Sequence, residues 1–319
     1  MENKKQHNQP ELSVVITCYR DEGNILEMHR RLTKVLTDTG LNYELIFVND
    51  GSPDNSEAVL REIASRDKKV TVILQARNFG AQNAFTAGME LSLGRAVVIM
   101  DGDLQDPPEL IPEFVKKWRE GYEVVYGKRR KREASLGKTK EFVYHLFYVI
   151  FNKLSYMKVP EDAGEFSLMD RRVVDVINSM PERDRLLRGL RAWVGFKQTG
   201  IEYTRPERFW GKSTNSLMAS TKWARKAVFS FSYAPVEMVS RIAAFTMLLA
   251  LGAIVLYVLL YFFKGAPQGF LTLLVITLFL GAVQLLSLAI IGEYLARVFE
   301  ETKQRPRYVT KEIINNHRK

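Results

Sequence analysis

Two stretches near the C-terminus constrain this chain most. Ile242 to Phe263 and Phe270 to Ile291 each run 22 residues without a charged side chain. About 20 apolar residues in a helix cross the hydrocarbon core of a bilayer, so each stretch is long enough to span it. Between them Lys264-Gly265-Ala266-Pro267-Gln268-Gly269 makes a tight hairpin with one positive charge. The tail from Arg297 to Lys319 carries seven: Arg297, Lys303, Arg305, Arg307, Lys311, Arg318 and Lys319. Lys and Arg are retained on the cytoplasmic side, so both termini are expected there. A core hairpin of a soluble protein is the competing reading, and the length of the runs disfavours it.

The part before residue 214 reads differently, and 319 residues leave room for a second domain. Apolar runs at Leu12–Cys18, Tyr43–Val48, Val70–Leu74, Val97–Met100 and Glu123–Tyr126 predict strands. Helical patterns separate them: one capped by Asn24 and carrying Ile25, Leu32, Val35 and Leu36, then Ser56–Arg66, Gly80–Leu93 and Pro108–Trp118. Strands alternating with helices of this length predict βαβ units and a mostly parallel sheet.

Three of these strands end in acidic, glycine-containing turns: Asp21/Glu22, Asp50 and Asp101/Asp103. Ligands of open α/β sheets bind beyond the carboxyl ends of the strands. Asp101 and Asp103 offer hard oxygens there, of the kind that hold Mg²⁺ together with substrate phosphates. Alone, the stretch Asp101-Gly102-Asp103-Leu104-Gln105-Asp106-Pro107-Pro108 reads more readily as a surface turn, because Asp-Gly and Pro-Pro punctuate structure. The first turn has no G-x-G-x-x-G, which argues against a dinucleotide fold. Gly211-Lys212-Ser213 matches half a P-loop, but Pro206 stands where that motif needs glycine. A metal, rather than a Gly-rich backbone cradle, is therefore expected to neutralise any bound phosphate.

Cys18 is the single cysteine and the four histidines are scattered, so neither a disulfide nor a Cys/His metal site is expected. The N-terminal residues are polar, which predicts no cleavable signal peptide. The net charge of +10 asks for an anionic partner. An anionic membrane leaflet suits it better than nucleic acid, since no zinc-finger, RNP or helix-turn-helix pattern is present. The basic run Lys128–Arg132 precedes an aromatic-rich stretch, Glu141–Phe151, which reads equally as an interfacial helix or a core helix. Asn215–Tyr233, with Lys222, Trp223, Arg225, Lys226, Phe229 and Phe231, is expected in the membrane interface. The expected division is thus a polar tail at 1–11, an α/β domain at 12–213, an interfacial helix at 214–235, two spans within 236–296, and a basic tail at 297–319.

The motifs V-V-I-T-C-Y-R-D-E-G-N, F-V-N-D-G-S-P-D, A-R-N-F-G-A-Q-N-A and M-D-G-D-L-Q-D-P-P-E resemble those of family 2 inverting glycosyltransferases of GT-A fold. With the hairpin behind them, the chain looks most like the polyprenyl-phosphate glycosyltransferases, over roughly residues 12–300. The resemblance implies a Rossmann-like domain whose Thr17, Tyr19, Glu22, Asp50, Arg77, Asp101 and Gly102 bind a nucleotide-diphosphate sugar, most readily UDP-glucose. It implies Mg²⁺ or Mn²⁺ at Asp101 and Asp103, Gln105 beside the sugar, and Arg129, Arg208 and Lys212 near the acceptor phosphate. Asp162 becomes the candidate base, or equally a positioning group. Asp162–Arg171 matches an acceptor-side motif usually written D-x-G-D-F-R-L-M-D-R, with Glu165 replacing Asp and Ser167 replacing Arg. Arg208–Asn215 matches a segment usually ending G-x-S-K-Y, from which Thr214 and Asn215 depart. Thr17 and Arg20 stand where the family usually has Pro and Asn.

The implied reaction is transfer of a sugar, with inversion, to a polyprenyl phosphate such as undecaprenyl phosphate at the cytoplasmic face of the membrane. The competing readings are a membrane glycosyltransferase with a hydroxyl acceptor on a lipid or glycan, and a non-catalytic membrane scaffold. Gly252, Gly281 and Ala282 suit helix–helix packing, so a homo-oligomer is also expected.

Overall fold

A computed structural model describes residues 9–130, 163–207, 209–210, 232, 234–264 and 269–317. The chain forms two units: one gathers the sheet, its helices and the tail from Arg305, and the other holds the two long apolar helices.

The first unit begins with β1 (Leu12–Cys18), α1 (Glu22–Asp38), β2 (Tyr43–Asn49), α2 (Ser56–Arg66), β3 (Val70–Gln75), α3 (Ala81–Leu91) and β4 (Ala96–Asp101). After a short 3₁₀ turn at Pro108–Leu110 come α4 (Ile111–Arg119), β5 (Val124–Arg129), β6 (Ala163–Asp170), α5 (Arg171–Ser179), α6 (Leu187–Trp193) and β7 (Gln198–Tyr203). A last strand, β8 (Thr310–Ile314), follows the long helices. All eight strands form one sheet in the order β7-β5-β6-β4-β1-β2-β3-β8.

The centre is parallel: Val14 of β1 lies opposite Leu45 of β2 and Val98 of β4. Every residue of β1, β2 and β3 is buried, the continuous apolar pattern of strands covered on both faces. α1 packs by Ile25, Met28, Leu32 and Leu36, spaced three or four residues apart along one face.

The second unit is α7 (Ala234–Lys264) and α8 (Phe270–Thr302). At 1.5 Å per residue they are about 46 and about 50 Å long. Both extend beyond the charge-free runs, and both are long and apolar enough to cross a membrane. Phe262 is 78% exposed and Phe263 84%. The expected helix at 141–151 lies outside the described residues, as does that at 215–233 apart from Ser232.

The structure departs from the sequence expectations at four places. α1 starts at Glu22, so Asn24 is no cap; it is fully buried and its amide donates to Asp21 Oδ1 at 3.0 Å. The segment from Pro108 makes a 3₁₀ turn before α4, because consecutive prolines at 107 and 108 remove two N–H donors. β6 inserts antiparallel between β4 and β5, so the sheet is mixed. The residues expected as a basic tail divide: α8 runs to Thr302, and Thr310–Ile314 pairs antiparallel with β3.

That last strand is tied down well. Asn315 Nδ2 donates to the carbonyls of Ala64 (2.7 Å) and Val70 (3.0 Å), and Thr71 Oγ1 donates to Asn315 O at 2.9 Å. Arg61 reaches Glu312 at 2.5 Å, and Arg307 and Tyr308 both meet Glu90.

Candidate active site

The register of β1 and β4 sets Thr17 beside Asp101 at the carboxyl end of the sheet. The next peptide folds against β1, where Gly102 N–H donates to Thr17 O at 2.9 Å. A Cβ on Gly102 would stand 2.7 Å from that oxygen, so the bare backbone lets the Asp-Gly-Asp turn lie flat on β1. Leu104 then adopts φ +59°, a left-handed backbone that a non-glycine residue holds only where its surroundings fix it. Its side chain is buried, and Asp103 Oδ1 accepts the Gln105 N–H at 3.1 Å to close the turn.

Negative charge is crowded here. The carboxyl of Asp101 is pushed up to about 8, first by burial and then by the carboxylates of Asp106, Asp103 and Glu165, against the opposing pull of Arg129. Burial also raises Asp106, while Arg129, Tyr203 and Arg205 draw it back. Burial opposes the charge on Arg129, yet Asp106, Tyr203 and Asp101 outweigh it and hold the guanidinium firmly protonated. Arg205 Nη2 lies 3.9 Å from Asp103 Oδ2, and Gln105 Nε2 donates to Pro206 O at 3.3 Å. The segment after β7 is thereby fastened to the Asp-x-Asp turn.

The other expected donor residues line the neighbouring turns. Tyr19 N–H donates to Asp21 Oδ2 at 3.0 Å, and the Arg20 guanidinium stands 5.6 Å from the Tyr19 ring centroid. Glu22 Oε2 accepts the Asn55 N–H at 2.9 Å, while the Glu22 N–H donates to Asp54 Oδ2 at 3.1 Å. Asp50 is almost fully buried, and its two oxygens accept the N–H groups of Phe79 (2.7 Å) and Gly80 (2.9 Å). Its carboxylate therefore shapes the loop after β3. Arg77, in that loop, lies 4.2 Å from the Phe79 ring centroid and is exposed.

Thr17, Asp101, Gly102, Asp103, Gln105 and Arg129 thus gather at the ends of β1, β4 and β5, while Tyr19, Glu22, Asp50 and Arg77 sit on the turns after β1, β2 and β3. Asp162, Arg208 and Lys212 lie outside the described residues. Among the described residues, no group of three or more His, Cys, Asp or Glu is arranged to enclose a metal ion.

Sequence reasoning missed Asp106 and Tyr203. Asp106 stands in the Leu-Gln-Asp-Pro-Pro string and reads there as a turn residue, and nothing in the sequence announces that β7 runs beside β5. The last two residues of the Asp162–Arg171 motif turn out to be architectural. Asp170 caps α5 by accepting the Arg172 N–H at 3.0 Å and also accepts from Trp118 Nε1 at 2.9 Å. Arg171 donates to the Gly94 carbonyl.

Comparison with known proteins fits this arrangement. Residues 13–177 match the family model "Glycosyl transferase family 2". An uncharacterized glycosyltransferase of Synechocystis is 41% identical, the match covering 95% of each chain. A bactoprenol glucosyl transferase of Shigella phage SfX is 35% identical over 94% of this chain and 98% of the relative. Among solved structures, glucosyl-3-phosphoglycerate synthase of Mycobacterium tuberculosis, in complex with Mn²⁺, UDP-glucose and phosphoglyceric acid, superposes with a TM-score of 0.44 at 20% identity, covering 69% of this chain and 78% of that one. With the acidic strand ends on an α/β sheet and relatives matched along nearly their whole length, the chain belongs to glycosyl transferase family 2 and is a glycosyltransferase.

Proposed function

We propose that this enzyme transfers glucose from UDP-glucose to a polyprenyl phosphate, such as undecaprenyl phosphate, at the cytoplasmic face of a membrane. One observation carries the reading: the match to a bactoprenol glucosyl transferase takes in the apolar helix pair as well as the catalytic unit. A water-soluble acceptor would give that pair no reason to accompany the site. The path of the chain supports the topology: among the described residues, two long helices in succession are followed by a return to the same sheet as β8. Two membrane crossings then leave the whole catalytic unit on one side. Uncovered backbone at Gly252 and Gly281 leaves room for a second helix, and a homo-oligomer belongs to the same reading.

The excess of carboxylates around Asp101 fits a bound divalent cation, because such a site is electrostatically costly without one. Asp101 and Asp103 would hold Mg²⁺ or Mn²⁺, which when bound supplies positive charge for the leaving diphosphate. Thr17, Tyr19, Glu22, Asp50, Arg77 and Gly102 line the donor side, and Gln105 lies beside the sugar. Arg129, Arg208 and Lys212 hold the acceptor phosphate in line. A phosphate monoester has a second pKa of about 6, so the attacking oxygen is already anionic at neutral pH. It forms the new bond to the anomeric carbon as the bond to the nucleoside diphosphate breaks, and the configuration inverts. Asp162 has little proton to remove in this scheme, so Asp162→Asn costs less single-turnover rate than Asp103→Asn; the reverse ranking points to a hydroxyl acceptor.

The test uses purified full-length protein, Mg²⁺, undecaprenyl phosphate and a panel of radiolabelled nucleotide sugars. Label from UDP-glucose enters the organic phase. Transfer only to diacylglycerol or a glycan contradicts the acceptor, transfer from another nucleotide sugar contradicts the donor, and an absence of nucleotide binding leaves a scaffold.

A further inference from the structure

Arg129 sits in a pocket that the sheet builds for it. It ends β5 directly opposite Tyr203, the last residue of β7. Its Nε donates to the Tyr203 hydroxyl at 3.4 Å, and that hydroxyl donates to Asp106 Oδ1 at 2.7 Å. Two glycines make the space. A Cβ on Gly127 would lie 2.8 Å from the Tyr203 ring, and one on Gly164 would lie 2.9 Å from Arg129 Nη2. The Tyr203 ring is braced edge-on against Phe166 at a centroid distance of 6.0 Å, and Phe166 in turn meets Phe114 at 4.8 Å. Asp106 is 1% exposed, and its second oxygen, Oδ2, is buried without a hydrogen-bond partner among the described residues. A buried carboxylate satisfied on only one oxygen is costly, so its retention in the fold needs a reason.

We propose that Asp106 is the positioning residue for Arg129: working through the Tyr203 hydroxyl, it holds the guanidinium beside the acidic strand end, aimed at the acceptor phosphate. Without it, the carboxylate left pulling on Arg129 is Asp101, and the guanidinium drifts toward the donor side. Asp106 itself touches neither substrate. Its role is to keep a cation that belongs to the acceptor from being captured by the acidic cluster.

The inference rests on reading Arg129 as an acceptor-phosphate contact, and the experiment separates the two. Full-length Asp106→Asn, Tyr203→Phe, Arg129→Gln and the double variant Asp106→Asn/Tyr203→Phe are assayed in mixed micelles. The readouts are kcat, KM for undecaprenyl phosphate and KM for UDP-glucose. Asp106→Asn, which removes the charge but keeps an oxygen that can accept from Tyr203, raises the acceptor KM about tenfold, while the donor KM stays within about twofold. Tyr203→Phe, which keeps the ring packing, raises the acceptor KM about threefold, and the double variant is no worse than Asp106→Asn because both act through one relay. Arg129→Gln sets the ceiling. If Arg129→Gln raises the acceptor KM and neither Asp106→Asn nor Tyr203→Phe does, the positioning role is wrong and the Arg129 reading stands. If Arg129→Gln leaves the acceptor KM unchanged, the Arg129 reading itself fails. Should Asp106→Asn fail to fold, Tyr203→Phe decides alone, since a donor KM shifted as much as the acceptor KM marks a merely structural tyrosine.

Discussion

The catalytic unit and the helix pair are built from the same apolar side chains and use them in opposite ways. Val14, Phe47, Val98 and Leu168 have no exposed surface, whereas Phe262, Phe263 and Leu285 are 70–84% exposed. Leaving one such side chain in water forgoes about 1.5–3 kcal/mol, and a soluble surface rarely shows more than a few hundred Å² of continuous apolar area. Both helices are long and apolar enough to cross a membrane, and a helix satisfies its interior backbone groups within the segment, as a lipid environment demands. The difference teaches where each unit keeps its polar groups. In the sheet the carboxylates collect at the strand ends; in the helix pair charged side chains lie only outside the runs 242–263 and 270–291, and interior hydroxyls such as Thr246 and Ser287 bond back to the helix carbonyls.

The sharpest way to break this comparison is to place one charge in each unit. Val98→Asp buries an unpaired carboxylate at the centre of the sheet. The cost, several kcal/mol against a typical domain stability of about 5–15 kcal/mol, abolishes cooperative melting of the catalytic unit. Leu256→Asp in α7 lowers membrane retention and leaves UDP binding in detergent unchanged. Loss of UDP binding in the Leu256→Asp protein would show that the two units do not fold independently.

Glycines give a second, smaller contrast. Gly51 has φ +59°, and a Cβ there would lie 2.3 Å from the Arg77 carbonyl carbon. Gly51→Ala destabilises the catalytic unit by at least about 1–3 kcal/mol, seen as a lower melting temperature. At Gly281 in α8 an added methyl group would meet nothing within 4 Å in the single chain, so Gly281→Ala leaves melting of the detergent-dispersed monomer unchanged or slightly raised. Equal losses at both positions would mean that α8 is covered at Gly281.

The returning strand sharpens the boundary between the units. Asn315 combines φ +53° with two hydrogen bonds to backbone carbonyls. Asn315→Ala costs the catalytic unit about 1–2 kcal/mol in chemical denaturation. For the same reason, deleting residues 236–319 removes an edge strand along with the apolar helices, whereas replacing only 234–304 by a flexible linker spares the sheet. If the two truncations melt alike, β8 contributes nothing to stability.

The smallest effect concerns acid. Burial alone would raise the Asp54 carboxyl, but the hydroxyls of Ser52 and Ser56 and the N–H groups of Glu22 and Ser56 outweigh it and hold it below the usual carboxylate range. A depressed carboxylate stabilises the fold above its unfolded pKa of about 4, and that contribution is lost as pH falls through the folded value. Asp54→Asn is therefore less stable than the parent at pH 7, and the difference narrows as pH falls below about 4. A constant difference across that range argues for packing instead of charge.

What the sequence alone determined rests on period and order. Alternating apolar runs and helical patterns announced β1 to β5 and α1 to α4, because local burial pattern is a property of consecutive residues. Two charge-free runs announced the long helices for the same reason, and the Asp-Gly-Asp turn falls after a predicted buried strand, where β4 does end. Tertiary structure alone decided three things. β6 and β8 join the sheet antiparallel, through partners too distant along the chain for any local window to contain. Asp50 has both oxygens drawn onto the Phe79 and Gly80 amides by a loop that only the fold brings near. Asp106 and Tyr203, far apart in sequence, become one relay to Arg129 because β7 lies beside β5. Sequence pattern fixes which face of an element is apolar; which elements meet is set by the packing of whole elements, and the electrostatics of the site follow from that meeting.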